Sequence, residues 1–301
     1  MLESSAPASL MICGEHAVVY GYDALVLAVS ERIKVRLKPR TDKRVIIQSA
    51  LANHETSLSE LIMHPQLSFV MQSIVALTPS SGFELSIDSE INPNMGLGSS
   101  AAVVIATLGA LAHYHQSALL NDKQSFHRLA HQVILKVQGR GSGADLAAAL
   151  LGGLVAYSPQ GASRFSTLPL PPKRLSVRYA GYKTKTADVL AMLAERAEQN
   201  PKHFADLYAR MGQVSGKALW AAGLERWEDF YGELNGYQGL MEELGVCDEV
   251  QRRHIQEALA VCDAVKISGS GLGDCIIALG DKIPDEHQEV IPTMMGLRID
   301  E

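Results

Sequence analysis

Three glycine-rich stretches in this chain carry residues that could handle a phosphate. The first is Pro93-Asn94-Met95-Gly96-Leu97-Gly98-Ser99-Ser100-Ala101-Ala102, followed by a long apolar segment. Glycines let backbone N–H groups approach an anion closely, and a helix start adds unsatisfied donors and a positive dipole end. Ser99 and Ser100 offer hydroxyls to a phosphate oxygen or a Mg2+ ion. The stretch lacks the Gly-Lys-Ser/Thr of a Walker A loop. It matches the loose dinucleotide pattern G-x-G-x-x-A from Gly96, but outside a compact strand–helix–strand unit and with only Asp122 near the ribose-binding spacing. A tight turn before a serine-capped helix is the plainer alternative.

The second stretch, Gly139-Arg140-Gly141-Ser142-Gly143-Ala144-Asp145, ends in a carboxylate at a helix start. That is a good place for a base beside bound phosphate, and equally a good place for a residue that merely caps the helix Leu146–Leu151. The third, Lys266-Ile267-Ser268-Gly269-Ser270-Gly271-Leu272-Gly273-Asp274-Cys275, lies between two apolar strands. Its glycines let it lie flat against a ligand, where a plain hairpin turn would need fewer of them.

The elements that must position these loops fall into two halves. Leu10–Cys13, Ala24–Val29, the alternating Ile33, Val35 and Leu37, Val45–Ile47, and Phe83, Leu85 and Ile87 are expected strands. Pro65–Leu77 reads as a helix with Pro65 in its first turn. Ser99–His115 reads as a buried helix, apolar on nearly every side, with His113 and His115 at its C-terminal end. A further helix over about Gln124–Gln138 and one starting near Asp145 follow. After Tyr157 the prolines Pro159, Pro169, Pro171 and Pro172 mark a connection. Beyond it come a strand with Leu175, Val177 and Tyr179, and four amphipathic helices between Ala187 and Cys262, broken near Pro201, Gly223 and Gly245. Trp220 and Trp227 are expected to pack within this helical half. Strands Val265–Ile267 and Cys275–Leu279 close it.

Composition narrows the classes. The chain has 301 residues, 47% of them hydrophobic and 20% charged, enough apolar material for a real core and for two lobes. Its net charge of −6 argues against a nucleic-acid partner; the basic residues between Arg32 and Arg40 alternate as one face of a strand. The apolar run Ala101–Ala112 is too short to span a bilayer, and the N-terminus lacks the pattern of a secretory signal. The four cysteines, Cys13, Cys247, Cys262 and Cys275, show no metal-ligand spacing and read as buried thiols. The ten histidines include no metal-hydrolase pair. A cytoplasmic protein is expected, with no membrane partner.

Taken together, the three loops resemble the GHMP small-molecule kinases across the whole chain. The first resembles their phosphate loop P-G-x-G-L-G-S-S-A and the third their C-terminal glycine loop. The opening Gly14-Glu15-His16-Ala17-Val18-Val19-Tyr20-Gly21 is similar to that of the mevalonate kinase branch. The resemblance implies a two-lobed α+β fold, with a strand-rich lobe over 1–165 and a helix-rich lobe over 166–301. It implies ATP bound through Asn94–Ala102, Mg2+ at Ser99 and Ser100, and Asp145 as the catalytic aspartate. It also implies an acceptor alcohol beside Glu15, His16, Thr184, Thr186, Gly269, Ser270 and Gly271, with Tyr20 nearby, and a homodimer as a possible assembly. Two departures stand out. A family lysine is replaced by Ser9, for which Arg140, Lys183 or Lys185 are candidate substitutes, and a metal-binding glutamate falls near Ile134. Gln138-Gly139-Arg140 and Gly273-Asp274-Cys275 are similar to phosphomevalonate kinases instead; a homoserine kinase fits less well because that branch lacks the aspartate. A nucleotide-binding sensor without turnover and a dinucleotide-dependent dehydrogenase are the readings from other classes.

Overall fold

A computed structural model describes residues 2–92, 95–161 and 164–300. Two sheets organise the chain. The first is built from β1 (Leu2–Cys13), β2 (Ala24–Pro39), β3 (Arg44–Ser49) and β4 (Asn53–Ser57), then, after α1 (Ser68–Ala76), β5 (Phe83–Ser89). Next come α2 (Ser99–Tyr114), α3 (Lys123–Gln138), α4 (Ala144–Leu151), β6 (Leu154–Tyr157) and β7 (Phe165–Leu168). The second half holds β8 (Arg174–Lys183), α5 (Thr186–Gln199), α6 (Pro201–Gly223), α7 (Trp227–Glu243) and α8 (Glu249–Leu259). It continues with β9 (Ala264–Ser268), β10 (Gly273–Gly280), β11 (Gln288–Val290) and β12 (Arg298–Asp300). The first sheet runs β12-β1-β2-β5-β3-β4, with β6 and β7 attached along the start of β2; the second runs β11-β8-β10-β9. All pairings are antiparallel except β3 with β5.

The strand β1 is longer than its apolar run Leu10–Cys13 predicts. It begins at Leu2 and passes through Ser4-Ser5-Ala6-Pro7-Ala8-Ser9, with a shift of register at Pro7, where a missing N–H is tolerated. Small residues are what this position needs, because α2 lies directly on it: a β-carbon at Gly109 would come within 2.6 Å of Ser4 Oγ. Size, not hydrophobicity, decides the strand here. The two strands expected at Ala24–Val29 and Ile33–Leu37 are one continuous β2, whose first part pairs with β6 and whose second part pairs with β5.

The helix α2 is buried on nearly every side, as its composition requires, and the four helices of the second half start and stop at the expected breaks. Their apolar faces join those of both sheets in a continuous core. Trp227 packs edge-on against Phe230, whereas Trp220 is 54% exposed, with the Arg226 guanidinium 5.1 Å from its ring centre. Packing was expected of both, but Trp220 faces outward from α6. The four cysteines are free thiols, three of them buried. Among the described residues no helix is long and apolar enough to cross a membrane.

The last residues return to the first sheet. β12 pairs with β1, Leu297 N–H donates to Leu150 O, and Thr293 N–H donates to Ala28 O. The Arg32 guanidinium clasps the Met295 and Gly296 carbonyls at 3.0 and 2.6 Å. A division into lobes over 1–165 and 166–301 assigns these residues to the second lobe, but their pairing is with the first.

Candidate active site

The first loop turns on two glycines. Gly96 and Gly98 both take left-handed conformations, φ 62° and 60°, that cost a residue with a β-carbon about 1 kcal/mol or more. Space imposes the same choice at Gly98, whose β-carbon would lie 2.0 Å from Ser9 Oγ. Gly98 precedes α2, and its carbonyl accepts from Ala101 and Ala102 N–H; Ser9 N–H donates to Leu97 O at 3.1 Å. Met95, Leu97, Ala101 and Ala102 are buried, so their side chains anchor the loop and only their backbone can meet a ligand. Ser99 and Ser100 are partly exposed at the start of α2, where the first N–H groups lack intrahelical acceptors. Asn94 lies outside the described residues.

The Ser9 hydroxyl donates to Asp145 Oδ1 at 2.8 Å, so β1, the first loop and α4 meet at one point. A β-carbon at Gly98 would stand 3.4 Å from the same carboxylate oxygen. Burial raises the Asp145 carboxyl above the usual aspartate value, and the Ser9 hydrogen bond opposes the rise. Asp145 occupies the first turn of α4, where a negative charge is favoured by the helix dipole.

Three side chains grip the loop before it. His127 Nε2 donates to Gly143 O at 2.8 Å, His131 Nε2 donates to Gly141 O at 2.7 Å, and the Tyr157 hydroxyl donates to Ser142 O at 2.6 Å. Each carbonyl is thereby held, which fixes where α4 begins. His127 is fully buried, and burial pushes its pKa down to about 4. Ile134, also on α3, is buried; a β-carbon at Gly141 would stand 2.9 Å from its Cγ2.

The third loop, 269–274, is tied to two other segments. His16 Nε2 donates to Ser270 O at 3.0 Å; burial lowers the His16 pKa to about 4, so the ring is neutral at pH 7. Thr184 Oγ1 donates to Leu272 O at 2.6 Å, and Ser270 Oγ lies 3.4 Å from Thr186 Oγ1. Gly271 lies against the backbone of Val246, where a β-carbon would come within 2.3 Å of its carbonyl oxygen. Cys275 Sγ reaches Met95 O at 3.0 Å, joining this loop to the first.

Glu15 is buried, as are Gly14 and His16 beside it. Its Oε1 takes the Lys266 ammonium at 2.5 Å, and the two side chains are 3% and 1% exposed. Burial raises the Glu15 carboxyl while Lys266 opposes the rise, and the Tyr237 hydroxyl donates to the Glu15 carbonyl at 2.5 Å. This pair fastens the segment after β1 to β9. Lys266 opens the third glycine-rich stretch, and no role was expected of it; the signal for one is a lysine inside the apolar strand Ala264–Ser268, since a buried ammonium needs a partner.

Of the candidate cations, Arg140 and Lys185 are exposed, whereas Lys183 is ion-paired at 2.8 Å with Asp274 of the third loop. Tyr20 is exposed and stacks on Tyr208 of α6 at 4.1 Å between ring centres. A cavity of about 640 Å³ lies elsewhere, lined by residues such as Arg178, Glu257, Lys282 and Glu286, and it includes no residue of the three loops. Arg178 is already paired with both glutamates. The convergence of the loops, and not the volume of a cavity, marks the site.

Comparison with known proteins agrees with this convergence. The family described as GHMP kinases N terminal domain matches residues 67–153, the span that holds the first two loops. Mevalonate kinase of Archaeoglobus fulgidus is 32% identical over 300 residues, covering 99% of each chain. Mevalonate kinase of Pyrococcus furiosus is 30% identical, covering 95% of this chain and 90% of its own. A protein of Listeria innocua of known structure has the same fold, with a TM-score of 0.86, 22% identity, and coverage of 100% of this chain and 99% of that one. With identity to the Archaeoglobus enzyme sustained from end to end and the loops assembled as above, the chain belongs to the mevalonate kinase family of GHMP kinases.

Proposed function

We propose that this kinase transfers the γ-phosphoryl group of ATP to the hydroxyl of mevalonate, giving 5-phosphomevalonate, with Asp145 as the base. The observation that carries the reading is the Asp145 carboxylate, held by Ser9 and standing beside Gly98 at the start of α2. Backbone N–H groups of the first loop, from Asn94 to Ala102, receive the phosphates at the positive end of α2. Asp145 accepts the proton of the attacking hydroxyl, and its raised pKa makes it a better proton acceptor at neutral pH. The first and third loops hold donor and acceptor in line, which supplies most of the rate in phosphoryl transfer. The acceptor rests on the relatives that carry the name mevalonate kinase. Beside it would stand His16, Thr184, Thr186 and the backbone of Gly269, Ser270 and Gly271, with Glu15 acting from behind through Lys266.

Among the described residues no three His, Cys, Asp or Glu side chains could hold a metal by themselves. Ser99, Ser100 and Asp145 fit the few protein ligands that Mg2+ takes when phosphate oxygens and water fill its shell. When bound, the ion neutralises charge on the phosphates. The reading includes a cytoplasmic setting and a homodimer, for which sedimentation of the purified chain is the check.

ADP release is measured with Mg-ATP and mevalonate, 5-phosphomevalonate or homoserine, on wild type and Asp145→Asn. Turnover of mevalonate that falls by roughly a hundredfold or more in the variant supports the reading. Turnover of 5-phosphomevalonate alone moves the enzyme one step along, and ATP binding without any turnover makes it a sensor.

A further inference from the structure

The Lys183–Asp274 pair stands at the edge of the phosphate-binding glycines. The Lys183 side chain is 41% exposed and the Asp274 side chain 6%, so the carboxylate is sunk between the loops and the lysine reaches it from a partly open position. A β-carbon at Gly96 would lie 3.0 Å from Asp274 Oδ1, and one at Gly269 would lie 3.4 Å from Oδ2. A buried negative charge pressed against a loop that receives phosphate is the wrong sign by itself. The cation paired with it reverses that sign.

The backbone is distorted on both sides to make the pair. Asp274 has φ 62° and Leu272 φ 53°, left-handed conformations that non-glycine residues seldom adopt and that persist when the surroundings enforce them. On the facing strand, Gly273 pairs with Lys183 but Cys275 pairs with Tyr179, so Asp274 alone opposes Ala180, Gly181 and Tyr182. This bulge in β8 carries Lys183 to Asp274. The next residue, Thr184, is locked to Leu272 O, and Gln251 Nε2 donates to Gly273 O at 2.7 Å from behind.

We propose that Lys183 binds the terminal phosphoryl group of the nucleotide, and that Asp274 is the positioning residue that holds it there. The proposal rests on the kinase reading of the same site. The ammonium is ion-paired with Asp274 Oδ1 at 2.8 Å without a directed hydrogen bond to it, so its three donors are open to phosphate oxygens. The resulting cation stabilises the charge on the transferred group.

The test is calorimetric binding of Mg-ATP and of Mg-ADP, without acceptor, to wild type, Lys183→Met, Lys183→Arg and Asp274→Asn. Asparagine tolerates the left-handed conformation, so Asp274→Asn keeps the loop and removes only the charge. Lys183→Met is expected to weaken ATP about tenfold or more while ADP stays within about twofold, because only ATP has the contacted group. Lys183→Arg should restore most of the ATP affinity, and Asp274→Asn should lose part of it with ADP again unchanged. Equal losses for both nucleotides, or no loss for either, would overturn the proposal. Wild type that binds ATP but phosphorylates no acceptor defeats the kinase reading and leaves the Lys183 result legible. Wild type that binds neither nucleotide defeats both.

Discussion

Ser9 Oγ stands 2.8 Å from Asp145 Oδ1 and fills the space into which any side chain at position 98 would project. Strand, loop and helix are thus fitted to one another through a single hydroxyl. Its removal has a defined effect, because the hydrogen bond lowers the Asp145 pKa against the burial that raises it. In Ser9→Ala the carboxyl pKa rises further, less of the proposed base is ionised at low pH, and the acid limb of kcat/KM moves to higher pH. The rates of variant and wild type should converge towards alkaline pH. A loss equal at every pH would assign Ser9 to packing instead.

Gly98→Ala introduces a β-carbon 2.0 Å from Ser9 Oγ at a φ of 60°. Overpacking and backbone strain together should cost about 2–4 kcal/mol. In Gly98→Ala with Ser9→Ala the clash is relieved and the strain remains, so the double variant should be more stable than Gly98→Ala alone. Denaturant unfolding of the four proteins gives the coupling, and strict additivity would contradict the geometry.

Glu15 and Lys266 form a buried ion pair at 2.5 Å. Removing one partner leaves the other charge uncompensated, and Glu15→Gln or Lys266→Met should each lose roughly 3–5 kcal/mol of stability. The double variant should lose far less than the sum. Single variants that melt like wild type would show that the pair carries no such burden.

His127 links stability to pH. Its pKa is about 4 in the native state against an ordinary 6.5, so the unfolded chain binds the proton more readily in that window. The contribution of neutral His127 is complete above about pH 6.5 and is lost as pH falls towards 4. The margin by which wild type exceeds His127→Gln should therefore shrink by up to about 3 kcal/mol over that range. A margin independent of pH would mean that the imidazole does not stay neutral in the fold.

Much of the architecture was legible because it rests on periodicity and punctuation. The helices from Thr186 to Leu259 break at Pro201 and around Gly223 and Gly245, and the all-apolar α2 could only be buried. The three loops were legible through their glycines. Ser4 to Ser9 were not, because a strand chosen for small size has no apolar alternation to read. Nor were β11 and β12, three residues each, whose existence depends on partners far away in sequence. At the site, Asp145 and the serines stood out by type and spacing. The pairings of Lys266 with Glu15 and of Lys183 with Asp274 join residues 251 and 91 positions apart, and no local pattern encodes them.

The pairing of β12 with β1 has a kinetic side. The strand that carries Ser9 acquires its outer neighbour only from residues 298–300, nearly the whole chain later. Contacts so distant in sequence are slow to form, and an uncovered strand edge is a template for pairing with another chain. During synthesis, β1 can associate with β2 long before its other edge is covered. Until residues 298–300 arrive, the edge of β1 at Glu3–Ser5 stays open to pairing with another chain, on the strand that leads to the candidate active site.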